Sequence, residues 1–246
     1  MNMRMYVLVS FCGLVACQAT AQSLTGRSSG VSYAYVYGAG ADANSDNDTT
    51  TDAALLATDQ ESIEYAGSTS GVLPGGQPYS AGVDGRAAHE YAVGGPLNAF
   101  NSIVASGQSS ITTAITGAGL AQMFLSNPGN ELLLNFEISA PTDYQLSGTI
   151  DLPGASAFSF VALQFFDGIV WQNGIFNSIF LPGGEGDFQK SGTLAPGQYR
   201  MYSKLSLDAF GNESVAASYN YRLTIPAPAG ILPLFAGVAA IGRRKR

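Results

Sequence analysis

The chain has 246 residues, with 11 Lys and Arg against 18 Asp and Glu, one His and two Cys. A formal net charge of −7, with no clustered cations in the interior, excludes a nucleic-acid partner, because neutralising phosphates takes grouped Lys and Arg. Both cysteines, Cys12 and Cys17, lie near the N-terminus, so the interior is expected to have no disulfide and no thiolate metal site, and to rely on a hydrophobic core.

Residues 1–21 read as a secretory signal peptide: Arg4 supplies the positive start and 6–16 are apolar and uncharged. Ala19-Thr20-Ala21 then places small residues ahead of a cleavage between Ala21 and Gln22. The apolar run is shorter than the roughly 20 residues of a spanning helix. Leu14-Val15-Ala16-Cys17 also resembles the lipobox of bacterial lipoproteins, which makes lipidation of Cys17 an alternative route. Without the two terminal segments, six basic residues face all 18 acidic ones, a net charge near −12.

From residue 22 to 130 the chain is rich in Gly, Ala, Ser and Thr. Residues 31–37 alternate Tyr with small residues and read as a strand carrying Tyr33, Tyr35 and Tyr37 on one face. The next segment, Asp42-Ala43-Asn44-Ser45-Asp46-Asn47-Asp48, offers oxygen donors at every second position, the spacing by which calcium loops wrap hard donors around one ion. Asp42, Asn44, Asp46 and Asp48 are therefore candidate calcium ligands, although the sequence departs from the EF-hand loop at Asn47 and Ala53; no other cofactor is expected. Residues 62–66 read as a strand, the Gly and Pro density of 67–96 argues against any long element, and 109–116 and 119–125 read as two more strands.

The second half is more regular, with strands expected at 131–139, 143–151, 157–166, 175–181, 186–191, 198–208 and 214–225. Tyr144, Leu146 and Ile150 share one face, and 157–166 is apolar at nearly every position, as in a strand buried on both faces or a strand at the centre of a sheet. Short strands near ten-residue spacing indicate an all-β chain, an antiparallel β-sandwich of jelly-roll type over 22–225 with its regular part at about 131–225. A signal helix and a C-terminal hydrophobic helix are expected to flank it.

The tail, residues 226–246, begins with Pro226-Ala227-Pro228, continues uncharged through Gly242, and stops on Arg243-Arg244-Lys245-Arg246. An apolar segment with a cationic end partitions into a bilayer with the charges on the cytoplasmic side. The order of these parts resembles the PEP-CTERM sorting signal, with Pro226 and Pro228 matching its two prolines and Arg243 to Arg246 its basic end. Ala227 stands where that motif carries Glu, and Pro233 interrupts its helix. The resemblance implies an exosortase-type sorting enzyme as partner, a tail held initially in the inner membrane, and a domain delivered to the cell envelope, outer surface or extracellular matrix. Gly192-Thr193-Leu194-Ala195-Pro196-Gly197-Gln198-Tyr199, with the stretch Ala140 to Gly148, resembles the β-sandwich modules of such proteins and of pre-peptidase type, which implies a binding, spacing or matrix role.

Chemistry is sparsely provided for. His89 is the sole histidine, reads as a polar position on a loop or strand edge, and has no co-ligands at metal-site spacing. With Lys190 and Lys204 as the interior amines and both cysteines in the N-terminal segment, covalent catalysis is poorly provided for, so an enzyme is not expected. Three functions remain: a non-enzymatic envelope- or matrix-associated protein, which leads; a module for extracellular polysaccharide, which requires solvent-facing aromatics near Trp171, beside Phe165, Phe166 and Phe176, or at the Tyr33-Tyr35-Tyr37 face; and a secreted glycoside hydrolase, which requires a carboxylate pair in a cleft. Aromatics in a sandwich are more often core, so both the group near Trp171 and the Tyr33-Tyr35-Tyr37 face are expected inside.

Overall fold

The computed structural model describes residues 22–37, 44–73, 75–117, 130–152, 157–180, 185–209 and 211–226. Twelve strands make up these residues: β1 (Gln22–Tyr37), β2 (Asn44–Asp52), β3 (Thr58–Val72), β4 (Pro78–Gly94), β5 (Ser102–Gly117), β6 (Asn130–Ile138), β7 (Thr142–Asp151), β8 (Ala157–Phe166), β9 (Trp171–Phe180), β10 (Glu185–Leu194), β11 (Gly197–Leu207) and β12 (Ser214–Thr224). They form two six-stranded antiparallel sheets, ordered β2-β1-β6-β11-β8-β9 and β10-β7-β12-β5-β4-β3. Strands from both halves of the chain lie side by side in each sheet. The all-β expectation holds.

Period-two alternation explains how the sheets meet. On β6, Leu132, Leu134, Phe136 and Ile138 turn inward; on β12, Val215, Ala217, Tyr219, Tyr221 and Leu223 answer from the other sheet, all in one buried cluster. Phe136 stacks on Tyr199 at 5.7 Å and meets Phe100 edge-on at 5.6 Å, offset geometries that aromatic quadrupoles favour. The Pro-Gly turn before β11 behaves as its sequence indicates: Tyr199 is buried, and its hydroxyl donates to Ala195 O at 2.7 Å. Tyr144, Leu146 and Ile150 share the buried face of β7, as expected.

Residues 67–96 depart from expectation. Here β3 runs on to Val72, and β4, at 17 residues, is the longest strand among the described residues. Glycine is tolerated in these strands because large rings lie over it. A Cβ on Gly85 would sit 2.2 Å from the Tyr65 Oη, and one on Gly107 in β5 would sit 2.3 Å from Tyr219 Cε1. Gly in a strand interior marks such a close approach rather than a break. The regular region therefore extends well before residue 131. The strand expected at 119–125 lies outside the described residues.

β8 is an interior strand of its sheet, as one of the two expectations has it, but it is not buried on both faces. Ala157, Ser159, Val161 and Leu163 point inward, whereas Phe158, Phe160 and Phe166 on the other face are only half-buried. The continuous apolar run reflects aromatic residues on an outer face. At the opposite edge of this sheet, β2 carries Asp48 and Asp52 among exposed threonines, charges that oppose edge-to-edge pairing.

Gln22 opens β1 and is buried, donating to Phe100 O, and Pro226 is exposed just after β12. Cys17, Ala21, Ala227, Pro228, Arg243, Arg244, Lys245 and Arg246, and with them both expected terminal helices, lie outside the described residues. No helix among the described residues is long and apolar enough to cross a membrane.

Candidate binding face and inter-sheet cluster

The outer face of the first sheet carries an aromatic track. Antiparallel register places Phe166 opposite Trp171, Arg200 opposite Gln164, Tyr202 opposite Ala162, and Lys204 opposite Phe160. Phe158 and Phe160 lie 5.9 Å apart; Phe160 meets Tyr202 edge-on at 4.6 Å; Phe166 and Trp171 lie 5.3 Å apart. The Arg200 guanidinium joins the two groups, 4.6 Å from the Trp171 ring and 5.3 Å from that of Tyr202. Its Nε donates to Gln164 Oε1, and Gln164 Nε2 donates to Asn173 Oδ1. Eight residues of β8 separate the two ends of the track, roughly 27 Å at strand rise.

Electrostatics hold these groups in fixed states. Burial, helped by Glu131, pushes the Tyr202 hydroxyl up to about 12, so it stays a neutral donor. Burial lowers the Arg200 pKa, against Tyr202 and Glu131, yet it starts too high for the charge to be lost near neutrality. Beyond Trp171, Asp167 accepts from Ile169 N and Val170 N at 2.9 and 2.8 Å, bracing a turn that leaves Ile169 86% exposed. Phe165 and Phe176 instead pack on the core, Phe176 5.0 Å from Phe188. Of the aromatics expected inside, Trp171 and Phe166 are therefore on the outer face: β9 is an edge strand, and its pairing with β8 turns both rings away from the other sheet. The side chains of Tyr33, Tyr35 and Tyr37 lie outside the described residues.

The outer face of the second sheet has a different chemistry. A groove of about 790 Å³ crosses β3, β4, β5, β12 and β7, with Gln60, Glu90, Ser106, Ser147, Asn220 and Arg222 among its lining residues. Hydroxyls and amides share it with apolar groups such as Val104, and Ser106 Oγ donates to Glu90 Oε1 at 3.1 Å. The acidic residues along it are Glu90 and Asp59, and the Asp59 carboxylate turns inward to pair with Arg27.

Between the sheets, at the end built by β1 to β4, the interior is ionic. The Arg27 side chain is fully buried and pairs with Asp52 Oδ2 at 2.8 Å, with Asp59, and with Glu61 Oε1 at 2.5 Å. It also donates to Ser29 Oγ at 2.7 Å and Ala54 O at 3.1 Å, and lies 5.1 Å from the Tyr91 ring centroid. His89 faces the same space from β4 with 2% exposure. This corrects the loop or strand-edge placement: odd-numbered residues of β4 point inward, and His89 is one of them. Burial, reinforced by Arg27 and opposed by Asp59, lowers its pKa to about 4, so the imidazole is neutral near pH 7. Sequence reasoning missed this cluster because no motif joins Arg27 to residues 25 to 62 positions away. The one local signal was period-two polarity, with Asp59 and Glu61 in phase with inward Ile63 and Tyr65.

The candidate calcium ligands are arranged otherwise than in a loop. Asn44, Asp46 and Asp48 take alternate positions of β2, opposite Tyr37, Tyr35 and Tyr33, and Asp42 lies outside the described residues. Alternate residues of a strand are roughly 7 Å apart, so the backbone does not wrap these donors around a point. Asp48 Oδ1 instead accepts from Thr49 N at 2.7 Å. Among the described residues, the acidic group within metal-binding reach of itself is Asp52, Asp59 and Glu61.

No family model matches the chain, and no curated protein matches it. Among solved structures, a CBM4 structure is similar at 15% identity over 46% of this chain and 74% of its own, with a TM-score of 0.26. The enzymatically active domain of tailspike protein 4 from bacteriophage CBA120 is similar at 8% identity over 69% of this chain and 19% of its own, with a TM-score of 0.25.

Proposed function

We propose that this chain is an exported, non-enzymatic β-sandwich of the cell envelope or extracellular matrix that binds polysaccharide along the outer face of its first sheet. One observation carries the binding reading: the continuous track Phe158, Phe160, Tyr202, Arg200, Trp171 and Phe166. A pyranose ring presents an apolar C–H face and a rim of hydroxyls. Partly buried rings that keep an outward edge match the first, and the fixed Arg200, Gln164 and Asn173 match the second. Apolar side chains left together on an outer face mark an interaction site. A neutral glycan suits the track best, since the interior of the chain is strongly acidic and would repel an anionic polymer.

The remaining parts of the reading rest on sequence. Residues 1–21 would be removed on export, and the tail from Pro226 would be recognised by an exosortase-type enzyme while in the inner membrane. The finer fold we infer is a jelly roll of β5 to β12, whose orders β5-β12-β7-β10 and β6-β11-β8-β9 follow that pattern, widened by β1–β2 and β4–β3. The inward pairing of Asp59 with Arg27 supports binding over hydrolysis, because it leaves Glu90 without a second carboxylate among the residues along the groove.

Affinity electrophoresis against neutral polysaccharides (cellulose, xylan, mixed-linkage glucan) tests the proposal. At least one should retard the protein, and Trp171→Ala and Tyr202→Ala should each weaken binding at least about tenfold, or 1.4 kcal/mol. Thermal denaturation should show both variants folded. Absence of retardation by every polymer, or unchanged binding in folded variants, would refute it.

A further inference from the structure

The cluster around Arg27 is short of positive charge. Asp52, Asp59 and Glu61 converge on one guanidinium, leaving a formal −2 around a space that is buried at Glu61 and opens to solvent through Asp59 and Asp52. Buried charge is costly unless it is compensated. Arg27 Nη2 and Ser29 Oγ both donate to Glu61 Oε1, the latter at 2.6 Å, whereas Glu61 Oε2 is buried and has no hydrogen-bond partner. Facing it at 3.8 Å is His89 Nε2, and neither nitrogen of that buried ring has a hydrogen-bond partner.

A bare carboxylate oxygen and a bare imidazole nitrogen at this separation are too far apart for a hydrogen bond. They are well placed to ligate one ion at about 2.0–2.2 Å each, with an angle near 130°. Asp59 lies beside this pair: its carboxylate is within 4.8 Å of those of Glu61 and Asp52, and its 22% exposure gives an ion a way in. Charge selects the valence, since a divalent cation cancels the −2 while a monovalent one leaves half of it. Donor type selects the class, because an imidazole with carboxylates suits zinc-like ions and calcium prefers oxygen alone.

We propose that Glu61 and His89 bind one divalent cation of the zinc class between the sheets, beside Asp59, tying β3 and β4 to the Arg27 of β1. Arg27 keeps Glu61 Oε1 and Asp52, so the ion completes the cluster without replacing the guanidinium. The ion is structural here, and the proposal is independent of glycan binding.

Calorimetric titration of the untagged, chelator-treated full chain with zinc alone tests this. One equivalent should bind and raise Tm, and His89→Ala and Glu61→Gln should each weaken binding at least about a hundredfold. If either variant fails to fold, the wild-type chain still answers, because His89 is its sole histidine. Its imidazole 15N resonances should shift on zinc addition, and zinc should protect the ring from diethylpyrocarbonate. No saturable zinc binding, equal affinity in folded variants, or binding that leaves the imidazole signals unmoved would each overturn the proposal.

Discussion

The two ends of this sandwich solve one packing problem with opposite chemistries. Between β5 and β12 the inter-sheet space holds Leu132, Leu134, Phe136, Leu146, Met201 and Leu223, all fully buried. Between β1 and β4 it holds Arg27, Glu61 and His89, with a satellite apolar cluster of Val31, Ile63 and Ala87. The apolar region gains stability non-directionally in proportion to area, whereas the ionic region gains only when each charge meets its partner. It follows that the first should tolerate volume-conserving change and the second should fail when one charge is removed.

The largest effect is expected from Arg27→Ala. Removing the one cation strands three carboxylates and should cost about 3–5 kcal/mol in urea denaturation. Leu134→Ala should cost about 2–5 kcal/mol through a cavity. The two can be separated by adding Asp52→Asn, Asp59→Asn and Glu61→Gln. These should recover much of the Arg27→Ala loss and leave the Leu134→Ala loss unchanged; equal behaviour would erase the distinction between the regions.

Extremes of pH should attack the two regions separately. In metal-free protein the His89 ring stays neutral down to about pH 4, whereas the unfolded chain protonates it near 6.5. The unfolded state binds more protons in that window, so stability is full above it and falls by about 3 kcal/mol as pH drops to 4. Arg27 on β1 and Asp59 and Glu61 on β3 act on this ring; His89→Gln should flatten the limb above the carboxylate range. At the alkaline end burial raises the pKa values of Tyr219 and Tyr221 well above their usual range. The unfolded chain then loses tyrosine protons first, and stability declines as pH rises past 10. Chemical denaturation across pH 4–11 would show both limbs, and Tyr221→Phe should weaken only the second.

A smaller effect is expected at the glycines beneath the rings. Gly107→Ala would force its Cβ against Tyr219 and should cost about 1–3 kcal/mol, measured as a fall in Tm. Tyr219 cannot swing aside freely, since its hydroxyl is held by Ser203 Oγ at 3.0 Å. If Gly107→Ala were neutral, strand glycines here would be incidental rather than spaces reserved for rings.

Much of the second half was legible because its strands alternate cleanly, as β7 and β11 do, between turns marked by Pro-Gly or Asn. β3 and β4 were illegible for a local reason, since Gly and Pro read as punctuation unless the overlying ring is known. β8 misled in the other direction: its outward phenylalanines have the same hydropathy as core residues, and periodicity cannot tell a buried face from a binding face. Trp171 was recognised as the residue to watch, but its companions Arg200 and Tyr202 come from a strand some thirty residues later and only register unites them.

Alternation of apolar and polar residues, by itself, determined that this chain forms antiparallel β-sheets, because a side-chain period of two admits little else. Tertiary structure alone decided which strands became neighbours, and so which residues shared a space. Arg27, Glu61 and His89 meet because two sheets close over them, and Phe160, Tyr202, Arg200 and Trp171 meet because three strands lie in register. Neither meeting has a sequence signature, since each depends on distances across strands and sheets rather than along the chain.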